Sequence, residues 1–95
     1  MAELVYLRLR VQEGHEEQME RDLRAALKVA EGQPGFRWAQ FLRDLADPSA
    51  FVVLSEWRDQ AGIDALESNP EYRRIVSAES PYFRGKVETL RYRSG

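Results

Sequence analysis

The segment from Phe51 to Trp57 constrains this chain more than any other. Phe51, Val53 and Trp57 fall on one side of an extended strand, and Val52 and Leu54 on the other. Both faces are apolar, so both need cover. A chain of 95 residues supports one core, because folding at this size buries roughly two-thirds of the surface that the unfolded chain exposes. We therefore expect a single domain over residues 1–95 in which this strand sits inside a sheet occupied on both sides.

The flanking residues indicate how the strand is delivered and continued. Pro48 pre-sets a turn dihedral and Asp47 can bond the backbone beyond it, so a hairpin should lead into Phe51. Asp59 can cap a helix from Gln60 to about Glu67 that buries Ile63 and Leu66. Asn69 can cap a second piece with Pro70 at its first position. Ile75 and Val76 give that piece its apolar side, and Ser80-Pro81 should end it.

Upstream, Val5, Leu7, Leu9 and Val11 alternate with Leu4, Tyr6, Arg8 and Arg10, the period of a strand. Gly14 breaks that strand, and Glu16 and Glu17 put negative charge where a helix dipole favours it. Met19, Leu23, Ala26, Leu27 and Ala30 make one apolar stripe. Glu17 with Arg21, and Glu20 with Arg24, are spaced to pair on the wet side. Gly32 reads as a left-handed stop and Pro34-Gly35 as a turn.

The stretch from Phe36 to Leu42 alternates next, with Phe36, Trp38, Gln40 and Leu42 expected on one face and Arg37, Ala39, Phe41 and Arg43 on the other. Val87 to Tyr92 reads as a last strand. The order is β-α-β-β-α-β with the middle strands joined as a hairpin. It predicts an α+β, ferredoxin-like fold, a four-stranded antiparallel sheet with its helices on one face. The other face is left bare, and a second copy of the chain is its simplest cover.

Composition removes several classes of function. The formal charge is -2, which gives no basic field for nucleic acid. There is no cysteine, so disulfides, thiol catalysis and thiolate zinc sites are excluded, and a reducing, cytoplasmic location fits. No apolar run approaches the roughly 20 residues that cross a bilayer. His15 is the sole histidine, expected on the surface at a helix start, with no second one to complete a metal site. No serine–histidine elbow and no glycine-rich phosphate loop is present.

Pro34-Gly35-Phe36 opening the second strand, Asp47-Pro48 before the third and Glu56-Trp57 ending it belong to one pattern. The run from Trp57 to Tyr72, with Ala65, Ser68, Pro70 and Tyr72 in register, completes it. In this order and spacing the chain resembles the antibiotic biosynthesis monooxygenase (ABM) domain over nearly its whole length. The resemblance implies a dimeric α+β barrel, a homodimer through the sheet face that can assemble further, with a pocket in each subunit between sheet and helices.

The family's chemistries differ, so its site residues carry over one at a time. Where many members have histidines, this chain has Leu66 and Glu71. The positions matching the asparagine, tryptophan and histidine of haem-degrading relatives hold Leu7, Leu66 and Val76, which argues against haem degradation. Of the set attributed to the cofactor-independent quinone-forming relatives, Trp57 alone carries over, as a pocket wall, while the asparagine and tyrosine places fall near Val53 and Ile63.

The resemblance thus implies a small monooxygenase acting on an aromatic substrate, such as a phenol, anthrone or quinol, with no bound metal, flavin or other cofactor. Such an enzyme needs a base, a donor for the developing oxyanion and a dry apolar box. The candidates are Trp57, Tyr72 and Arg73 for catalysis, with Leu66, Val76, Tyr82 and Phe83 lining the pocket. The runner-up is a non-catalytic homodimer of the same fold that binds or senses a small molecule. Val5-Tyr6-Leu7-Arg8-Leu9 also partly resembles the first strand of RNA-recognition domains, with Arg8, Arg10, Arg91 and Arg93 as neighbours. The third strand lacks the basic-Gly-aromatic pattern which that function needs.

Overall fold

The computed structural model describes residues 2–76 and 82–95. The elements are β1 (Glu3–Arg10), α1 (Glu16–Glu31), β2 (Phe36–Arg43), β3 (Ala50–Trp57), α2 (Gln60–Ser68), α3 (Pro70–Ile75) and β4 (Glu88–Arg93). The strands form one sheet in the order β2-β3-β1-β4, every neighbouring pair antiparallel. This is the expected ferredoxin-like arrangement, with the second helical segment split in two.

Local chemistry accounts for most of the boundaries. Asp47 accepts from the Ser49 amide at 3.0 Å and the Ser49 hydroxyl at 2.6 Å, closing the turn before β3. The Asn69 side chain accepts from the amides of Glu71 and Tyr72, and Pro70 occupies the first turn of α3, where its missing N–H costs nothing. Gly14 takes the positive φ of 92° that its break requires.

Four expectations are corrected. Gly32 is not left-handed: its φ of -81° and ψ of -5° continue the helical region, and the positive φ of this turn falls on Gly35. Asp59 precedes α2 but makes no side-chain cap bond; its Oδ2 pairs with Arg58 and its Oδ1 is buried without a hydrogen-bond partner. His15 is half-buried, stacked on Tyr82 at 5.5 Å, instead of standing free on the surface.

The fourth concerns β2, whose alternation is interrupted. A register shift at Arg37 pairs Phe36 with Trp57 and Trp38 with the next residue, Glu56, so Phe36 and Trp38 lie on opposite faces. Ser80-Pro81, expected to end the second helical region, lies outside the described residues; α3 itself stops at Ile75.

The core lies between the sheet and the helices in two neighbouring clusters. One gathers Leu7, Leu9, Val11, Met19, Leu23, Phe51, Val53 and Phe83, with Val76 and Tyr82 against it. The other gathers Val5, Ala30, Trp57, Ile63 and Leu66, with Phe36 and Tyr72 against it. Burying each large apolar side chain is worth about 1.5–3 kcal/mol, so Trp57 and Phe51, both 0% exposed, are main anchors.

No helix packs on the opposite face of the sheet among the described residues. The register sets Gln40, Leu54, Tyr6 and Leu90 in one row across it, with Trp38, Glu56, Leu4 and Tyr92 beside them. Trp38 is 38% exposed, Leu42 43%, Leu90 39% and Tyr92 53%, a continuous apolar strip that stays wet in a single chain. The arginines proposed for RNA do not share this face. Arg8 points to it and holds Asp44, whereas Arg91, opposite Val5, points to the helix side.

Candidate functional site

Between the sheet and the helices lies a small, partly enclosed cavity. Its walls are aliphatic residues from β1, α1, β2, β3 and α2, closed by Trp57 at the end of β3 and by Leu66, Glu67 and Tyr72 from α2 and α3. Its volume is about 30 Å³, room for a water or two, whereas an apolar cavity that takes a benzene is about 150 Å³. As it stands the cavity does not hold an aromatic ring. A larger open groove of about 250 Å³, lined by Glu3, Gln60, Ile63, Arg91, Tyr92 and Arg93, adjoins it, with Ile63 common to both.

Trp57 is fixed from three sides. Its indole N–H donates to the Ser55 hydroxyl at 2.9 Å, a buried bond two residues along the same strand face. Its ring meets Phe36 edge-on, at 5.3 Å and 82°. Gly62 on α2 passes so close that a Cβ there would lie 2.9 Å from the indole Cε3. Ser55 and Trp57 share a face because strand side chains repeat every second residue.

Tyr72 hangs from the first turn of α3, whose start is set by Asn69. Burial, and then the nearby charge of Glu67, push its phenol up to about 12. It therefore stays protonated at neutral pH and can act as a hydrogen-bond donor. Glu67 reaches the same cavity from the last turn of α2 and is held by Arg91 of β4 at 2.5 Å; the same guanidinium lies 3.4 Å from Asp64.

Of the residues singled out from sequence, Trp57, Tyr72 and Leu66 therefore meet on one cavity. Arg73 is exposed on α3 and is not on its wall. Val76, Tyr82 and Phe83 pack against the other cluster of the core, where the Tyr82 hydroxyl donates to Asp22. Ser55, Glu67 and Arg91 were not singled out as site residues. Ser55 and Trp57 are two apart on one strand, a visible signal, but nothing local marks the pairing of Glu67 with Arg91 across 24 residues. Among the described residues no three histidine, aspartate or glutamate side chains converge as a metal site would need, and no helix is long and apolar enough to cross a membrane.

The sequence pattern of the antibiotic biosynthesis monooxygenase family matches residues 4–78. The chain belongs to that family. No protein of curated function matches it at a significant level. Among solved structures, a conserved protein from Methanosarcina mazei is similar at TM-score 0.88 and 17% identity, covering 100% of this chain and 94% of that one. SnoaB, a cofactor-independent oxygenase from Streptomyces nogalater, is similar at TM-score 0.80 and 16% identity, covering 100% and 95%. A protein of Mycobacterium tuberculosis aligns at TM-score 0.86 and 13% identity, covering 99% and 95%. At these identities the likeness concerns the fold.

Proposed function

We propose that this protein is a small monooxygenase that oxidises an acidic aromatic substrate of the phenol, anthrone or quinol type with dioxygen, using no bound metal or flavin. The observation that carries this reading is the largely apolar cavity between sheet and helices, whose wall combines Trp57 with the polar groups of Ser55, Glu67 and Tyr72. Such substrates give up an electron to dioxygen once deprotonated. What they ask of a protein is exclusion of water, a proton acceptor and a donor to the developing oxyanion. In this reading Trp57 is the flat wall against the aromatic ring and Tyr72 the donor. Arg73, away from the cavity wall, takes no part.

The working unit in this proposal is a homodimer packed through the bare sheet face. The apolar row of Leu54, Tyr6 and Leu90 supports it, since a face of that kind is rarely left in water.

Oxygen uptake and quinone absorbance with a hydroxyanthrone test the reading. The expected result is turnover above the spontaneous rate, slowed by Trp57→Phe and by Tyr72→Phe. The runner-up is a binder of the same fold without turnover, which the same wall of Trp57, Ser55, Glu67 and Tyr72 would also serve. That protein would gain thermal stability with ligand concentration yet consume no oxygen.

A further inference from the structure

We infer that Glu67 is the proton acceptor of this cavity and that Arg91 is its positioning residue. The inference rests on the oxygenase reading above and supplies the base that reading requires. Among the described residues the cavity wall carries a single carboxylate, Glu67. The other titratable group on the wall, Tyr72, is held as a neutral phenol by burial and by Glu67 itself, which suits it to donate rather than accept. His15 is stacked on Tyr82, against the other core cluster.

Arg91 explains why a carboxylate is held at this spot. It lies opposite Val5 on the helix side of β4, and Val5 is itself a cavity residue. From there its guanidinium bonds Glu67 Oε1 and reaches Asp64 one turn earlier on α2. A carboxylate anchored through one oxygen keeps the other free to receive a proton. Arg91 also lines the open groove that shares Ile63 with the cavity. The ion pair thus stands where a planar molecule moving from groove to cavity would pass.

The chemistry balances for an anthrone methylene. Glu67 takes one C–H proton, and the electron pair left behind makes the substrate an anion. One electron passes to dioxygen, and the resulting radical pair joins in a C–O bond as a peroxide anion. Protonated Glu67 returns its proton to give the hydroperoxide. A second removal of the C–H proton by Glu67 then breaks the O–O bond, leaving a C=O group and hydroxide, which leaves as water with that proton. One oxygen atom enters the product and the other is reduced to water.

The charged and polar groups beside Glu67 are Arg91 from β4, Asp64 from its own helix and Tyr72 from α3. The test compares wild type with Glu67→Gln, which keeps the shape of the side chain, and with Arg91→Gln. With a hydroxyanthrone as substrate, Glu67→Gln should lose about 100-fold or more in kcat at neutral pH. The loss should shrink as rising pH ionises the substrate in solution. Arg91→Gln should lower kcat with KM little changed, and Arg91→Lys should restore part of the loss, which a merely structural role would not do. Equal rates and profiles in wild type and Glu67→Gln overturn the assignment.

A second readout needs no turnover. 4-Nitrophenol bound beside the Glu67 carboxylate should ionise at higher pH than in Glu67→Gln, as read from phenolate absorbance. If wild type consumes no oxygen while this difference persists, the oxygenase reading fails and the proton acceptor stands. If nitrophenol does not bind, or ionises alike in both proteins, the proton acceptor falls whatever the oxygen electrode shows.

Discussion

Replacing Gly62 by alanine sets two well-measured effects against each other. In an isolated helix the change would help, by about 1 kcal/mol. Here the new Cβ would lie 2.0 Å from the carbonyl oxygen of Pro34 and 2.9 Å from Trp57 Cε3. The first neighbour is backbone, in the turn held by the bond from the Arg58 amide to the Gly35 carbonyl at 2.7 Å. Relief must come from α2 lifting by an ångström or more, which loosens Ile63 and Leu66 against Trp57. Overpacking of this kind, backbone shifts included, costs about 1–3 kcal/mol and occasionally more.

A 2.0 Å approach to backbone puts the cost near the top of that range, about 3 kcal/mol, so after the propensity gain the net loss should be about 2 kcal/mol. For a domain of this size that lowers Tm by about 8–16 °C. The control is Gly32→Ala, at a helical φ of -81° with its nearest contact at 3.5 Å. It should be neutral or gain about 0.4–1 kcal/mol. Urea and thermal denaturation followed by circular dichroism read both. A Gly62→Ala protein as stable as wild type would refute the packing of α2 on Trp57 described above.

Other expectations follow from single contacts. Asn69→Ala removes the acceptor for two α3 amides and should cost about 1 kcal/mol in urea denaturation, with Asn69→Asp close to wild type. The Tyr72 phenol, pushed up to about 12, should ionise well above an ordinary phenol in an ultraviolet titration, and Tyr72→Phe should lack that step. The sign of its linkage follows: a raised folded value contributes stability that is complete below the unfolded value near 10 and is lost as pH climbs towards about 12. A Tyr72 that titrates with exposed phenols would count against the buried site. Leu54→Glu, set between Gln40 and Tyr6 on the bare face, should turn a dimer into a monomer in sedimentation; an unchanged sedimentation coefficient would place the subunit contact elsewhere.

The features legible in sequence were those fixed by local chemistry. The Asp47-Pro48 turn, the Asn69-Pro70 cap and the stripe of Met19, Leu23 and Ala26 each depend on neighbours a few residues away. Where the structure departs from expectation, tertiary packing made the choice. Phe36 leaves the face of Trp38 because Trp57 offers it an edge contact in the core, and the shift at Arg37 is the local consequence. Asp59 stands at the right place to cap α2, yet its Oδ2 engages Arg58 instead.

The candidate site was half legible for the same reason. Trp57, Leu66 and Tyr72 follow from a strand end and a short helix that any reading of the pattern places together. Val76, Tyr82 and Phe83 are equally apolar or aromatic, but the core divides in two and they fall in the part around Phe51. That division is not written in periodicity. Arg91 reads in sequence as one more strand arginine; its register opposite Val5 turns it towards α2 and Glu67.

The two tryptophans offer the most direct test of the central claim, that an aromatic molecule enters the cavity between sheet and helices. Trp57 is buried at the cavity, with its indole N–H on Ser55, whereas Trp38 lies on the bare face of the sheet. Their indole N–H resonances can be followed separately by nuclear magnetic resonance as a hydroxyanthrone is added. The expected result is a saturable shift of the Trp57 signal with Trp38 unmoved. A shift confined to Trp38 would put the ligand on the sheet face and contradict the account.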